Sequence, residues 1–382
     1  MQAVQTPVIP TVADWIRKNP GTISLGQGVV SYGPPDRTFE RLREFQSDPE
    51  NHKYKTVAGL PPFVEQLERK LRLENRIRIN PGRAVIVTAG SNMGFMNAIL
   101  AITDPGDEII LLTPFYFNHE MAVTMAGCRC VLVATDNHFQ PLPDAIFSAI
   151  TEKTRAIVTI SPNNPTGAMY PERVLREINE TCQNRGIYHI HDEAYEYFAF
   201  GQTEHFSPGA IHEDEDLTIS LFSLSKAYGF ASWRIGYMVA PRHLVESIRK
   251  IQDTILICPP VISQYGALGA VEAGLGYCRP RLRELNEVRQ QVLLQLQELN
   301  GICDVPTAEG AFYFFLQLRK GGDSMELTRK LIEQYRVAVM PGTTFGMGAD
   351  CCVRIACGSL NREAAREGMG RLISGLRNLT GS

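Results

Sequence analysis

The chain has 382 residues, with 38 Lys+Arg against 41 Asp+Glu and a formal net charge of −3. Hydrophobic residues make up 44% and charged residues 21%, which excludes a disordered tail, a collagen-like rod and a small disulfide scaffold, and gives no reason to expect nucleic acid or an acidic membrane surface as a partner. The length suits roughly two to three domains.

The first stretch, MQAVQTPVIPTVADWIRKN, lacks a basic segment followed by an apolar run, so it does not read as a signal peptide, and a cytoplasmic protein is expected. The first 45 or so residues hold two short helical patterns and Pro-rich turns. From Ala84 to Thr103 the chain is apolar but broken by Thr88, Gly90, Ser91 and Asn92, so it reads as a strand, a turn and a helix rather than a membrane span. Apolar runs then alternate with helical patterns. The expected strands are Ala84–Thr88, Glu108–Leu112, Cys130–Val133, Ala156–Ile160, Tyr188–His191, Thr218–Phe222 and Ile235–Val239. The expected helices include Met93–Ile102, Phe117–Met125, Pro171–Arg185 and Arg242–Gln252. Continuous apolar strands between helices predict an α/β domain with a mostly parallel sheet covered on both faces.

From about Tyr277 the pattern changes. A helix at Arg281–Leu299, a strand at Phe312–Leu316, a helix at Met325–Tyr335, strands at Val337–Met340 and Cys352–Ala356, and a final helix at Arg362–Leu376 predict a smaller α+β domain. The expected division is a large domain over residues 46–276, with 1–45 and 277–382 forming the small one. The charged stretch Arg279–Gln291 reads as a solvated helix face. Nine cysteines contain no C-x-x-C pair, so buried thiols in a reducing compartment are expected. His189 and His191 share one side of a strand, but no third spaced ligand accompanies them, and no metal site is expected. Gly26-x-Gly28-x-x-Ser31 lacks the last glycine of a dinucleotide fingerprint and follows no convincing strand.

Polar clusters follow four of the strands: Thr88-Ala-Gly90-Ser91-Asn92, Ser161-Pro-Asn163-Asn164-Pro-Thr-Gly167, Asp192-Glu-Ala-Tyr195 and Ser223-Leu-Ser-Lys226. In a parallel sheet they converge on one rim, where open α/β sheets bind ligands. The Gly90 turn opening a helix offers backbone N–H groups to a phosphate. Lys226 can form a Schiff base with an aldehyde, and a buried Asp192 can hold a pyridinium nitrogen protonated. A phenol and an amide, Tyr195 and Asn164, can donate to a ring oxygen. Together these groups describe pyridoxal 5′-phosphate.

Five segments in order carry a family resemblance: SPNNPTG around Asn163 and Asn164, HDEAY from His191 to Tyr195, SLSK from Ser223 to Lys226, WRIGY from Trp233, and VRIA from Val353. In these the chain resembles the class I/II aminotransferases of the fold type I pyridoxal-phosphate enzymes, from about Leu25 to Leu376. The resemblance implies the following roles. Lys226 carries the cofactor and serves as general base, Asp192 pairs with the pyridinium, and Tyr195 and Asn164 bond the ring oxygen. Tyr116 stacks on the ring. Gly90, Ser91, Asn92, Ser223 and Arg234 hold the phosphate. Tyr54 reaches the phosphate of a neighbouring subunit, implying a homodimer with shared sites. Arg354, Gly28 and Asn164 receive the substrate, with Arg354 forking the α-carboxylate.

The implied reaction moves an amino group from an L-amino acid to a 2-oxo acid. A C–S β-lyase and a non-catalytic cofactor-binding regulator are the alternatives. After Gly28 the chain reads Val29-Val30-Ser31-Tyr32 where relatives commonly differ, and Asn92 stands where some relatives with acidic substrates carry lysine. Both departures lean toward uncharged substrates.

Overall fold

The computed structural model describes residues 1–212, 217–305, 307–348 and 350–380. A seven-stranded sheet is built from β1 (Arg83–Thr88), β2 (Glu108–Thr113), β3 (Arg129–Ala134), β4 (Thr154–Ile160), β5 (Tyr188–Asp192), β6 (Thr218–Ser223) and β7 (Gly236–Pro241), in the order β1-β7-β6-β5-β4-β2-β3. All neighbours run parallel except β7, which is antiparallel to both β1 and β6. The apolar runs are continuous because both faces are covered. In β1, Val85 and Val87 join Phe222 and Tyr237 in one core cluster, while Ile86 joins Phe95 and Ile99 in another.

A second, four-stranded antiparallel sheet follows the order Met340–Pro341, Cys352–Ala356, Tyr313–Leu318, Cys303–Asp304. Its strands are flanked by the helices Ser324–Tyr335 and Arg362–Thr380. The N-terminal strand Ile23–Ser24 pairs with Val337–Ala338, which ties the start of the chain to the C-terminal part. The two sheets are joined by a backbone seam. Phe200 N donates to Glu309 O, Ala311 N to Phe198 O, and Gly310 N to Gly167 O, each at 2.8 Å. Gly167 sits at φ +74°, and a Cβ there would lie 2.5 Å from the Tyr313 carbonyl, so the seam closes only around a glycine.

Three expectations are corrected. The helix expected at Arg281–Leu299 begins twenty residues earlier and runs Val261–Leu296, across the anticipated boundary at 276, with non-helical geometry at Gly274 (φ 56°). Its early part is rich in glycine and so reads poorly as helix. The glycines serve close packing: a Cβ on Gly269 would strike the backbone of Arg37, in the helix Asp36–Ser47. The stretch expected as one strand, Val337–Met340, is two short strands in different sheets. The stretch Arg279–Gln291 is not wholly a solvated face. Arg289 is 4% exposed, with its guanidinium carbon 5.2 Å from the Phe200 ring centroid and 5.7 Å from that of Phe314. Aromatic faces take the place of water around the charge.

Candidate active site

The carboxyl ends of β1, β4, β5 and β6 open onto one cavity of about 550 Å³. After β1, Gly90 (φ +84°) turns the chain so that the helix Ser91–Ile102 points its N-terminus at the cavity. Free N–H groups and the helix dipole make that terminus a seat for an anion. A Cβ on Gly90 would stand 2.6 Å from Arg234 Nη2, so the guanidinium fills the space a side chain would take. Arg234 itself adopts φ 52° just before β7, presenting an exposed cation to the cavity beside Ser91, Asn92 and Ser223.

Asp192 ends β5 and is 4% exposed. Its Oδ1 accepts from Ala194 N at 3.0 Å, and its Oδ2 lies 3.2 Å from Nε2 of His119. Tyr116 lines the cavity, its hydroxyl accepting from Asn118 Nδ2 at 2.9 Å and its ring set edge-on to His119. Burial pushes the Tyr116 phenol above its ordinary pKa.

Lys226, in the short helix Leu224–Ala227 after β6, donates from Nζ to the Gly28 carbonyl at 2.5 Å. Burial, then the charges of Arg354 and Arg234, lower its pKa to about 8, against a smaller raising effect of Asp192. Tyr32 donates to the Lys226 carbonyl at 3.1 Å and so braces the lysine from behind; of the segment after Gly28, it is Val29 that lines the cavity. Arg354, on the strand Cys352–Ala356, is 4% exposed. It donates to Asn164 Oδ1 and to the Gly26 carbonyl, each at 2.8 Å, and its Nε has no hydrogen-bond partner.

The cavity therefore gathers an anion seat, a buried carboxylate, an amine of lowered pKa and a braced guanidinium. Across residues 20–372 the sequence matches the family described as "Aminotransferase class I and II". The chain belongs to this aminotransferase family. It is 32% identical over 382 residues to the aromatic aminotransferase ISS1 of Arabidopsis thaliana, covering 98% of this chain and 94% of that protein. It is 31% identical over 363 residues to the aspartate/prephenate aminotransferase of Thermus thermophilus, covering 94% and 92%. Among solved structures it resembles a double mutant of the Thermus thermophilus aspartate aminotransferase, with TM-score 0.90, 30% identity and 98% of each chain covered. It also resembles the aromatic aminotransferase of Pyrococcus horikoshii OT3, with TM-score 0.87, 29% identity and 96% and 99% covered. The protein is an aminotransferase, an enzyme of the class I/II type, and the family and fold imply pyridoxal phosphate. Neither the β-lyase nor the regulator reading is favoured by these relatives.

The aminotransferase cavity brings together Gly28, Ser91, Asn92, Tyr116, Asn164, Asp192, Tyr195, Ser223, Lys226, Arg234 and Arg354, with Gly90 directly behind Arg234. Tyr54 is not among the lining residues and stands 77% exposed on the surface. His189 and His191, on β5, share the hydroxyl of Thr159 at 2.7 and 2.6 Å. Burial lowers the pKa of both, His189 to about 3.

Sequence reasoning passed over three contributors to this cavity and its surroundings. His119 lies in the helix Phe117–Met125 among apolar residues and reads as packing; its one signal is a polar ring three residues after Tyr116. Tyr313 is hidden in an aromatic strand. The helix Val8–Lys18 places Ile9, Val12, Ala13 and Ile16 at the cavity, and its signal is their i, i+3, i+4, i+7 spacing. No helix among the described residues is long and apolar enough to cross a membrane.

Proposed function

We propose that the cavity holds pyridoxal 5′-phosphate with Lys226 as its Schiff-base lysine, and that the protein transfers the amino group of an L-amino acid with an uncharged side chain to a 2-oxo acid. The observation that carries this reading is the Lys226 amine, aimed into a cavity that lowers its pKa to about 8, opposite a helix N-terminus flanked by Arg234. The residues fit the cofactor. The cradle at Gly90 is closed by the Arg234 guanidinium, the buried Asp192 on the cavity wall would give a pyridinium nitrogen its counter-charge, and Tyr195 lines the same space.

When bound, the cofactor supplies an aldehyde carbon for the amine and a ring that accepts the electron pair left at the substrate Cα. The rest is done by the chain. Ser91, Asn92, Ser223 and Arg234 would anchor the phosphate; Asp192, held by Ala194 N with His119 beside it, would meet the ring nitrogen. Asn164 and Tyr195 would address the ring oxygen, and Tyr116 would cover the ring. Arg354, held by Asn164 and the Gly26 carbonyl, forks the α-carboxylate beside Gly28. Lys226 Nζ takes the proton from the substrate Cα, a transfer that suits an amine of pKa near the operating pH.

The substrate class follows from the walls. The cavity's charged lining residues, among those described, are Asp192, Lys226, Arg234 and Arg354. All have tasks above, which leaves no cation among this chain's own described lining for a second carboxylate. Much of the remaining wall is apolar, with Ile9, Val12, Ala13, Ile16, Val29 and Met340 beside the uncharged polar Ser24 and Gln27, a surface for an aliphatic or aromatic side chain. The names of the Arabidopsis and Pyrococcus horikoshii relatives agree with that choice, whereas those of the two Thermus thermophilus relatives name aspartate, and the donor panel below decides between them. A homodimer with Tyr54 completing the neighbour's phosphate seat is supported by its 77% exposure outside its own cavity and by the exposed Ile255, Ile257 and Ile262.

Borohydride reduction of the loaded protein followed by peptide mapping tests the lysine: a label on any residue other than Lys226 overturns the assignment. A panel of amino donors with 2-oxoglutarate and pyruvate tests the substrate. Phe, Met and Leu should outpace Asp and Glu, and the reverse order overturns the apolar reading. Subunit exchange tests Tyr54. Activity per Lys226-bearing site should rise when a Tyr54→Phe chain is mixed with a Lys226→Ala chain, and no rise despite proven exchange overturns the shared site.

A further inference from the structure

Tyr313 stands between the two working arms of the site. It begins the strand Tyr313–Leu318 and is 1% exposed. Its hydroxyl lies 2.6 Å from that of Tyr195, with the two rings edge to face at 5.4 Å. The face of its ring carries the Arg354 guanidinium, 4.5 Å from carbon to centroid, and the Phe345 ring also lies against that guanidinium at 5.1 Å. Gly28 completes the contact, because a Cβ there would lie 2.6 Å from the Tyr313 hydroxyl. One side chain thus touches the cation that meets the substrate carboxylate and the phenol that meets the cofactor.

We propose that Tyr313 is a positioning residue that couples Arg354 to Tyr195, donating its phenolic proton to the Tyr195 oxygen so that Tyr195 directs its own proton into the cavity. A cation over an aromatic face stabilises electron density in that ring, which makes Tyr313 the more acidic phenol of the pair and therefore the donor. The titration directions agree: burial pushes Tyr313 up only to about 12 because Arg354 pulls against it, whereas Tyr195 is pushed further, first by burial and then by Tyr313. A phenol that accepts a hydrogen bond becomes a stronger donor at its own hydroxyl. Tyr195 then stabilises negative charge on whatever oxygen it faces. A carboxylate bound at Arg354 offsets the cation, weakens the Tyr313 donation and relaxes Tyr195 in turn.

This inference rests on the reading of Lys226 and Tyr195 as cofactor residues, and the experiment separates the two. Wild type, Tyr313→Phe, Tyr195→Phe and the double variant are loaded with pyridoxal phosphate, and the visible absorbance of the Lys226-bound chromophore is titrated with pH. In Tyr313→Phe the midpoint should rise by about half a unit, within the range by which one hydrogen bond in a chain alters another. In the Tyr195→Phe background the same change should move it by less than half as much, since the effect passes through Tyr195. Saturating 3-phenylpropionate, an unreactive carboxylate, should raise the wild-type midpoint and raise it less in Tyr313→Phe. An unchanged midpoint in Tyr313→Phe, or a full shift that persists without the Tyr195 hydroxyl, overturns the coupling while leaving the cofactor reading intact. Absence of any Lys226-dependent chromophore in wild type overturns both. Should Tyr313→Phe not fold, 3-fluorotyrosine incorporated at position 313 keeps the shape with a more acidic phenol. The midpoint must then fall, and an unmoved midpoint overturns the proposal.

Discussion

The imidazole of His119 stands 3.2 Å from the carboxylate of Asp192 and stacks on Phe95, with ring centroids 3.9 Å apart and planes 16° from parallel. Phe95 belongs to the helix whose N-terminus faces the cavity, so the anion seat and the buried carboxylate are held in register by one aromatic contact. His119→Ala removes the imidazole that stands beside Oδ2 and leaves a void against Phe95. Turnover should fall about tenfold or more, the loss of roughly 1.5–3 kcal/mol expected when a charged group loses a polar partner. The phosphate contacts remain, so equilibrium dialysis should show cofactor affinity changed far less than kcat. A variant with wild-type kcat would remove His119 from the working site.

Arg354→Lys keeps the charge but not the planar fork, and it gives up one or both of the contacts to Asn164 and Gly26. The expected cost is on the order of 2–4 kcal/mol in kcat/KM. It should fall evenly on every amino acid tested, because all share the α-carboxylate. A loss confined to one side-chain type would instead place Arg354 against the side chain.

Gly90→Ala puts a methyl group 2.6 Å from Arg234 Nη2 at a backbone φ of +84°. With ψ at 166° the backbone is in a region essentially reserved for glycine, which alone costs on the order of 1–3 kcal/mol for alanine, and the displaced guanidinium should weaken the proposed phosphate seat. Dissociation of pyridoxal phosphate, followed by its absorbance after dialysis, should become roughly tenfold easier by the weight of one charge-assisted contact. The rate at saturating cofactor should change little. A normal dissociation constant would show that Arg234 moves aside without consequence.

Lys226 attacks an aldehyde only as the neutral amine. With its pKa lowered from 10.5 to about 8, the neutral fraction grows about tenfold per pH unit below 8 and levels off above it. Loading of the apoprotein with pyridoxal phosphate should accelerate in the same way, measured by stopped-flow absorbance from pH 6 to 10. Arg354→Leu removes a neighbouring cation, the second cause of the lowered pKa after burial, so its inflection should move to higher pH. An inflection that stays in place would mean that Arg354 does not act on the amine.

Much of this site is legible in the sequence because its parts follow strands. Asn164, Asp192, Ser223 and Lys226 each stand at or just beyond the end of an expected strand, and a parallel sheet has to bring such ends together. What escaped did so for physical reasons. His119 and Tyr313 act from inside packed elements, where a ring is the ordinary filler and only its neighbours reveal a polar task. Arg289 reads as solvent-facing because charge normally seeks water, and nothing local shows that Phe200 and Phe314 wait on another part of the chain. The first part of the helix Val261–Leu296 was lost to its glycines, whose value lies in the approach of the helix Asp36–Ser47 rather than in any helical preference.

The backbone seam at Phe198–Phe200, Gly167 and Glu309–Ala311 carries a mechanical expectation. Three main-chain bonds clustered at one line, with a glycine that admits no side chain, leave little room for the two sheets to slide past each other there. A relative motion of the sheets is therefore expected to spare this line and to show in parts far from it. Hydrogen exchange gives the reading: the amides of Phe200, Gly310 and Ala311 should be among the slowest in the protein, and substrate should leave them unaltered while slowing those of the Val8–Lys18 helix. Fast exchange along the seam would mean that the two sheets separate there rather than turn about it.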